Sequence, residues 1–331
     1  MDGLDRRTGA GGAPVNLVGL GGIRAAADRI AGQVVRTPLL PCPWADERRP
    51  LWLKPENLQP TGSFKMRGAL NALGALDAGV RAHGVVTHSS GNHGRALAWA
   101  ARLYGVPAVV VMPDTSPTVK IEGIRVLGAE IVIVPPAERE ARVAVLAAER
   151  GLAVVPPFEH RDVIAGQGTI GLEILADLPA AGTVLVPVGG GGLVSGVAVA
   201  LKALSPGVRV IGVEPELAGD LAEGFAKGRR VVWDPVLTYR TVADGVRLPA
   251  VGELNWRHIE RYVDDVVTVS EQGILDAMSR LVWGSRIVAE PSGAVAVAAY
   301  TERPDVTTGP TVAVVTGGNV DPALLVRVLN A

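Results

Sequence analysis

The sequence has few cysteines, few aromatic residues, no excess of one charge and no long apolar run. Cys42 is the single cysteine, which excludes an internal disulfide and fits a reducing cytoplasm. Aromatic residues make up 4% of the chain and the net charge is −1, so neither a stacking surface nor a basic stripe for nucleic acid is expected. No apolar run approaches the roughly 20 residues of a membrane span. We therefore expect a cytoplasmic protein that binds neither nucleic acid nor membrane.

The first residues read as a loose segment. The stretch MDGLDRRTGAGGAP has no apolar core of the kind a signal peptide needs. We predict a flexible N-terminal leader over residues 1–20.

Short valine-rich runs alternate with segments of helical spacing along the rest of the chain. Examples are AVVVMP, TVLVPVG and TVAVVTGG for strands, and GLVSGVAVALKALSPG and ILDAMSRLVWGSRIVAE for helices. Continuous apolar strands indicate burial on both faces, and strand–helix alternation indicates parallel sheets covered by helices. The predicted architecture is three-layer α/β, and 331 residues suffice for two lobes.

Three predicted strands end in small or polar residues, namely THSSGN at 87–92, PVGGGGL at 187–193 and VTGGN at 315–319. In open α/β sheets, ligands gather at the carboxyl ends of the strands. These ends offer hydroxyls, amides and bare backbone N–H groups. Their convergence predicts a small-molecule site.

The glycine run in VPVGGGGLVSG lies between a predicted strand and a predicted helix. Successive N–H groups without Cβ atoms can face one concavity, to which a helix N-terminus adds positive potential. A flexible loop is the plainer interpretation, and a dinucleotide site is a rival because Glu214 ends the next strand. The G-x-G-x-x-G spacing fails, however, since Ser195 occupies the last position and Gly196 comes one residue late. A single phosphate fits better than a pyrophosphate.

A second strand-to-helix turn, THSSGNHG, carries Ser89, Ser90 and Asn92. The N–H groups at such a helix start can bind a carboxylate or a phenolic oxygen, although simple N-capping by Ser90 or Asn92 would explain the residues without a ligand. A serine-hydrolase elbow needs G-x-S-x-G, and neither serine has glycine two positions before it.

Lys65 follows Gly-Ser-Phe and precedes Met66 and Arg67. Alone, it would be taken for a solvated lysine. Apolar neighbours and a nearby cation would lower the pKa of its amine, as covalent amine chemistry requires. A lysine together with a single-phosphate cradle indicates pyridoxal 5'-phosphate, whose aldehyde forms a Schiff base with lysine.

Five motifs then carry a resemblance that covers nearly the whole chain after about residue 20. They are ENLQPTGSFKMRGA, THSSGNHGRALA, VIAGQGTIGLEI, VPVGGGGLVSG and TGGNVD. In this order they resemble the fold-type II pyridoxal-phosphate enzymes of the tryptophan synthase β-like fold, within the threonine/serine dehydratase and serine racemase group. The resemblance implies two α/β lobes with the cofactor in the cleft between them. The large lobe would comprise residues 21–74 and 156–331, and the small lobe residues 75–155.

The resemblance also implies roles by position. Lys65 would form the Schiff base and act as the base for the α-proton, and Ser90 would be the acid/base on the opposite face. Asn92 would bond the phenolic oxygen, and the hydroxyl of Thr316 would face the pyridine nitrogen. The implied cofactor-binding residues are Phe64, Lys65, Asn92, Gly189, Gly190, Gly191, Gly192, Leu193, Gly245 and Thr316. The implied substrate-binding residues are Ser89, Ser90, Gly91, Asn92 and His93.

The stretch VEPELAGD places Glu214, Ala218 and Asp220 at the positions of this group's divalent-cation site. Two carboxylates, the Ala218 carbonyl and water would suit Mg²⁺ or Ca²⁺. A solvated acidic loop is the alternative.

The implied reaction is dehydration and deamination of L-threonine or L-serine to 2-oxobutanoate or pyruvate plus ammonia. Serine racemization, or dehydration of 3-hydroxyaspartate or phenylserine, remains an alternative, since the sequence does not show the substrate pocket. PPFEHRDVIAGQG is more similar to the dehydratases than to the racemases. The group's members are commonly homodimers or homotetramers, and a noncatalytic nucleotide-binding protein with the same sheet is a hypothesis of another class.

Overall fold

The computed structural model describes residues 16–89, 91–116 and 118–330, apart from the side chain of Val119. Most of the predicted leader, residues 1–15, therefore lies outside the described residues. The chain enters the fold at Val18, which is buried and whose N–H donates to Nε2 of His258. Helix α1 begins two residues later.

The larger sheet has six strands in the order β1-β2-β10-β7-β8-β9. β1 and β2 are antiparallel, and the other neighbours are parallel. Its strands are β1 (Leu40–Pro41), β2 (Leu51–Pro55), β7 (Thr183–Pro187), β8 (Arg209–Pro215), β9 (Asp265–Val269) and β10 (Thr311–Val315).

The smaller sheet has four parallel strands in the order β5-β4-β3-β6. They are β3 (Val85–His88), β4 (Ala108–Pro113), β5 (Glu130–Val134) and β6 (Ala153–Val154). The chain thus enters the larger sheet, leaves it to build the smaller one, and returns.

Helices cover the faces of both sheets. They are α1 (Leu20–Ile30), α2 (Lys65–Ala75), α3 (Ala78–Ala82), α4 (Asn92–Tyr104), α5 (Thr118–Arg125), α6 (Arg139–Arg150), α7 (Arg161–Asp177), α8 (Gly192–Leu204), α9 (Asp220–Lys227), α10 (Pro235–Thr238), α11 (Glu253–Tyr262), α12 (Glu271–Ser285), α13 (Pro291–Glu302) and α14 (Pro322–Leu329). Helices α7 and α8 pack against each other, and α2 packs against α4 and α7.

Burial follows the apolar pattern of the sequence. Every residue of β4, β7 and β10 is buried, as expected for strands covered on both faces. The edge strand β5 has no buried residue. The valine-rich runs therefore predicted the inner strands correctly, because strands covered on both faces need continuous apolar sequence.

One helix ends earlier than its sequence predicts. The helical pattern extends to Glu290, but α12 ends at Ser285 because Arg286 adopts a left-handed conformation with φ 61°. A new helix, α13, begins at Pro291. The break leaves Glu290 at the start of α13, where its side chain becomes part of the site described below.

Among the described helices, none combines the length and the apolar character needed to cross a bilayer.

Candidate active site

Lys65 is the first residue of α2, and the loop before it is docked on the end of β10. The Phe64 N–H donates to the Thr316 carbonyl at 3.0 Å, and Ser63 forms an antiparallel bridge with Gly317. The Gly318 N–H donates to the Gly62 carbonyl at 2.9 Å. The lysine loop and the TGGN loop are therefore joined by backbone, although some 250 residues separate them.

Gly62 makes this close approach possible. Its φ is +75°, a conformation that L side chains rarely adopt, and a Cβ there would lie 2.5 Å from Oδ1 of Asn319. The Asn319 amide donates to the Thr61 carbonyl at 3.0 Å. A residue with a side chain at position 62 would push the two loops apart.

The Lys65 amine lies in an apolar, partly buried environment. Its Nζ donates to the Pro157 carbonyl at 2.7 Å and lies 5.2 Å from the centre of the Phe64 ring. Burial lowers the pKa of Lys65 from 10.5 to about 8. A fraction of the amine is therefore neutral, and hence nucleophilic, near neutral pH.

Arg67, expected from the sequence to be the cation that perturbs Lys65, points elsewhere. Its guanidinium is fully buried and pairs with Glu56 at 2.8 Å and Glu173 at 2.6 Å. Lys54 pairs with the same Glu173 at 2.5 Å. Burial alone therefore accounts for the lowered pKa of Lys65. The ion cluster anchors α2, β2 and α7 behind the lysine.

The glycine run forms a tight loop that leads into α8. Gly191 has φ +86°, and a Cβ on Gly190 would lie 2.2 Å from the Phe158 ring. The Gly190 carbonyl accepts from the Gly252 N–H at 3.1 Å and from the Asn255 amide at 2.5 Å. With this carbonyl bonded elsewhere and the first N–H groups of α8 lacking partners within the helix, the loop can offer donors to an anion.

The N-terminus of helix α4 is a second group of backbone N–H donors, in addition to that of α8. The Ser89 hydroxyl accepts from the Gly91 N–H at 3.2 Å, and α4 begins at Asn92. Ser90, the predicted opposite-face acid/base, lies outside the described residues. Ser89 directly follows the carboxyl end of β3, as the sequence predicts.

Asn92 belongs to a chain of polar side chains. Its Nδ2 donates to Glu290 Oε1 at 2.6 Å, and its Oδ1 accepts from Asn319 Nδ2 at 2.7 Å. Arg95 donates to Asn319 Oδ1 at 3.1 Å. Burial, and after it the charge of Asp244, raises the pKa of the Glu290 carboxyl to about 7. The Asn92 amide, which is predicted to bind a phenolic oxygen, is thus hydrogen-bonded to Glu290 through its nitrogen and to Asn319 through its oxygen.

His93 is buried and neutral. Its Nε2 lies 2.9 Å from the Val155 carbonyl, so Nε2 carries the proton, and Nδ1 has no partner among the described residues. Burial, followed by the charge of Lys65, lowers the pKa of His93 to about 3. Its imidazole therefore supplies no positive charge to a substrate carboxylate, and its backbone N–H at the start of α4 is the group suited to an anion.

Thr316 and Gly245 both lie against the start of α13. The Thr316 hydroxyl is buried and donates to the Ser292 carbonyl at 3.1 Å. The Gly245 N–H donates to the Ser292 hydroxyl at 2.8 Å. Since a hydroxyl carries one proton, Thr316 could donate to a ring nitrogen only by leaving Ser292.

Lys120 lies near the turn before α4. It forms an ion pair with Asp244, next to Gly245, and a Cβ on Gly91 would lie 4.0 Å from its Nζ. This cation joins α5 of the smaller sheet to a loop of the larger one.

The predicted cation-site residues lie together at the end of β8. Glu214 accepts from the Leu221 and Ala222 N–H groups at 3.2 and 2.8 Å, and Asp220 Oδ2 is buried with no partner among the described residues. Burial raises the pKa of Asp220 to about 7 and that of Glu214 well above its usual range. Two neighbouring buried carboxyls of raised pKa suit a metal ion, although no three His, Cys, Asp or Glu side chains converge anywhere in the described chain.

One protein family and three known proteins, among others, are similar to this chain. A family model described as "Pyridoxal-phosphate dependent enzyme" matches residues 30–317. L-threonine ammonia-lyase of Thermotoga maritima is 44% identical over 85% of this chain and 70% of the relative. L-threo-3-hydroxyaspartate ammonia-lyase of Saccharomyces cerevisiae is 39% identical over 91% and 93%. Among solved structures, maize serine racemase has a TM-score of 0.88 at 36% identity, covering 95% of this chain and 97% of that one.

The chain belongs to the pyridoxal-phosphate dependent enzymes. The predicted fold type II architecture and the resemblance to the threonine/serine dehydratase and serine racemase group are both confirmed by these relatives. The described residues fit the cofactor: an amine of lowered pKa and the amino end of α8 are what an aldehyde and a phosphate need.

The sequence did not reveal Glu290 or Lys120 as residues of this site, nor the contact of Phe158 with Gly190. Each acts through a contact between distant parts of the chain. The Glu-Pro pair at 290–291 marks a helix start, but nothing local shows that the carboxyl points away from its helix toward Asn92.

Proposed function

We propose that the protein is an ammonia-lyase that dehydrates and deaminates L-threonine or L-serine. The products would be 2-oxobutanoate or pyruvate, together with ammonia. The observation that carries the proposal is the Lys65 amine, which has a pKa of about 8 and lies among loops from both sheets. The Thermotoga relative, named for the threonine reaction, supports this choice of substrate.

Bound pyridoxal phosphate would supply an aldehyde for the Lys65 amine and a ring that accepts the electrons of the broken Cα–H bond. Lys65 Nζ is the group that would take the proton from the substrate Cα, because it is the partly neutral base of the site. The Gly189–Leu193 segment would bind the phosphate. Ser89, Gly91 and the first N–H groups of α4 would hold the substrate carboxylate.

We also propose the division into lobes given by the sequence, with residues 75–155 as the small lobe. The four strands of the smaller sheet support it, since they lie between residues 85 and 154. A homodimer or homotetramer is proposed as the assembly, to be measured by light scattering on the holoenzyme.

Mg²⁺ or Ca²⁺ is proposed as a ligand of Glu214, Asp220 and the Ala218 carbonyl. Asp220 Oδ2 supports it, because a buried carboxylate oxygen with no hydrogen-bond donor among the described residues is costly. The cation would fix the loop after β8.

3-Hydroxyaspartate is the second candidate substrate. The cation of Lys120 near Gly91 favours it, because a second substrate carboxylate could compete with Asp244 for that charge. The yeast relative is named for this substrate.

The test is a substrate panel on the holoenzyme. L-threonine, L-serine, D-serine and L-threo-3-hydroxyaspartate are assayed for oxo acid and for inverted amino acid, with Lys65→Met as the inactive control. Borohydride reduction followed by peptide mapping should locate the cofactor on Lys65. A higher kcat/KM on 3-hydroxyaspartate than on threonine or serine would replace the substrate assignment. Racemization without oxo acid would show that the protein is not an ammonia-lyase. Cofactor label on another lysine would overturn the assignment of Lys65.

A further inference from the structure

Glu290 is a buried acid at the edge of the candidate site that the proposed reaction does not use. It precedes α13, and 5% of its surface is exposed. Its N–H donates to the Gly317 carbonyl at 3.0 Å, which ties it to the TGGN loop. No lysine, arginine or histidine among the described residues pairs with it within salt-bridge distance. The partner of the carboxyl is the Asn92 amide, at 2.6 Å.

The absence of a side chain at Gly317 leaves space for the contact between Glu290 and Asn92. A Cβ on Gly317 would lie 2.3 Å from Glu290 Oε1 and 3.3 Å from Asn92 Nδ2. The carboxyl therefore packs against a bare Cα. Without a side chain at Gly317, the acid can approach the amide closely despite being 198 residues away.

The polarity of this chain of side chains is fixed from the Arg95 end. Arg95 can only donate, so the oxygen of Asn319 faces it and the Asn319 amino group faces Asn92. Because the oxygen of Asn92 accepts from Asn319, its amino group faces Glu290, whose Oε1 accepts whether the carboxyl is ionised or carries its proton on the other oxygen. Of the two N–H groups on Asn92 Nδ2, one is used by Glu290 and the other is left for a ligand.

We propose that Glu290 is a positioning residue that holds the Asn92 amide so that its free N–H is directed at the phenolic oxygen of bound pyridoxal phosphate. The inference rests on the proposed function, with Asn92 in the role toward that oxygen that the family resemblance implies. Such a donor favours the ionised phenolic oxygen over the protonated one. Glu290 thereby acts on the cofactor through Asn92, without touching the reacting atoms.

A double-mutant cycle on the holoenzyme tests this. Glu290→Ala should weaken pyridoxal phosphate binding about tenfold, equivalent to about 1.4 kcal/mol and close to the upper value of one hydrogen bond. It should also shift the absorption of the bound chromophore toward the form with a protonated phenolic oxygen. In an Asn92→Ala background the same change should add less than about twofold, because the group through which Glu290 acts is gone.

Two further variants separate positioning from general damage. Glu290→Gln keeps an acceptor of the same shape and should restore both affinity and spectrum to within about threefold of wild type. Gly317→Ala keeps both partners but obstructs their contact, and should reproduce the Glu290→Ala spectrum. Glu302→Ala, at the other end of α13, is the matched control and should leave the spectrum unchanged.

The outcomes distinguish this inference from the proposed function. If Asn92→Ala alone alters neither affinity nor spectrum, the assignment of Asn92 to the cofactor is wrong. If Asn92→Ala has its effect but the losses from Glu290→Ala and Asn92→Ala add, Glu290 does not act through Asn92. Failure of Glu290→Gln to restore the spectrum would also overturn the inference, since it would show that charge rather than hydrogen-bond geometry matters.

Discussion

The low pKa of Lys65 predicts how the apoprotein reacts with pyridoxal phosphate as the pH changes. A lysine amine with pKa 10.5 is about 0.03% neutral at pH 7, whereas one with pKa of about 8 is about 10% neutral. Because only the neutral amine adds to an aldehyde, the larger neutral fraction should make the covalent step at pH 7 up to about 300-fold faster than for an ordinary lysine. The limiting rate should rise with pH and level off just above pH 8.

The assay is stopped-flow absorbance of apoprotein mixed with saturating cofactor from pH 6 to pH 11. Saturation separates the covalent step from binding, and a blocked lysine amino acid serves as the model amine for the titrations of the cofactor itself. The Glu290→Gln variant is run in parallel, since burial raises the pKa of Glu290 to about 7. His93 does not interfere, because its pKa is about 3 and it stays neutral throughout.

A midpoint near 10.5 would refute the reasoning, since it would show a solvated amine. A midpoint near 8 in wild type that moved to 10 in Glu290→Gln would also refute it. That shift would make Glu290, rather than burial, responsible for the perturbed titration.

The remaining predictions concern stability. Arg67→Met should lower the free energy of unfolding by about 3–5 kcal/mol, because it leaves the buried Glu56 and the adjoining Glu173 without their guanidinium. Chemical denaturation measures this loss. The control Arg125→Met removes the exposed pair with Glu122 and should cost at most about 1 kcal/mol. A loss for Arg67→Met no larger than for Arg125→Met would contradict the first estimate. Millimolar Mg²⁺ or Ca²⁺ should raise the Tm of the wild type, since a ligand of the folded state stabilises it by about 2.7 kcal/mol at 100 times its Kd. The Tm of the control Glu216→Gln should rise as well, whereas that of Asp220→Asn, which lacks a carboxylate ligand, should not. An equal rise in Asp220→Asn would place the cation elsewhere.

Local patterns were enough to predict the parts of the site that depend on neighbours in sequence. A strand, a run of glycines and a helix start occur within 183–204, so the cradle of α8 follows from that segment alone. The same holds for the turn before α4. In each case the backbone conformation that the chemistry needs is dictated by residues a few positions apart.

What was missed depends on contacts between distant segments. Nothing near Arg67 in the sequence shows that it faces Glu56 and Glu173 instead of Lys65. The end of α12 was missed for another reason: Arg286 takes a left-handed conformation that the sequence pattern assigns to glycine. Because that break places Glu290 at a helix start, one unpredicted backbone angle hid a residue of the site.

Three titratable groups of the site, Lys65 itself, His93 and Glu290, share one physical trait, which affects how the site recognises anions. Burial moves Lys65, His93 and Glu290 each toward its neutral form. A cofactor phosphate and a substrate carboxylate would thus meet few full positive charges. The amino ends of α8 and α4 take that part instead, since their N–H groups attract anions without a proton to lose. Anion binding can then stay constant over the pH range in which the lysine changes its protonation, so the same site can hold its ligands and still move a proton.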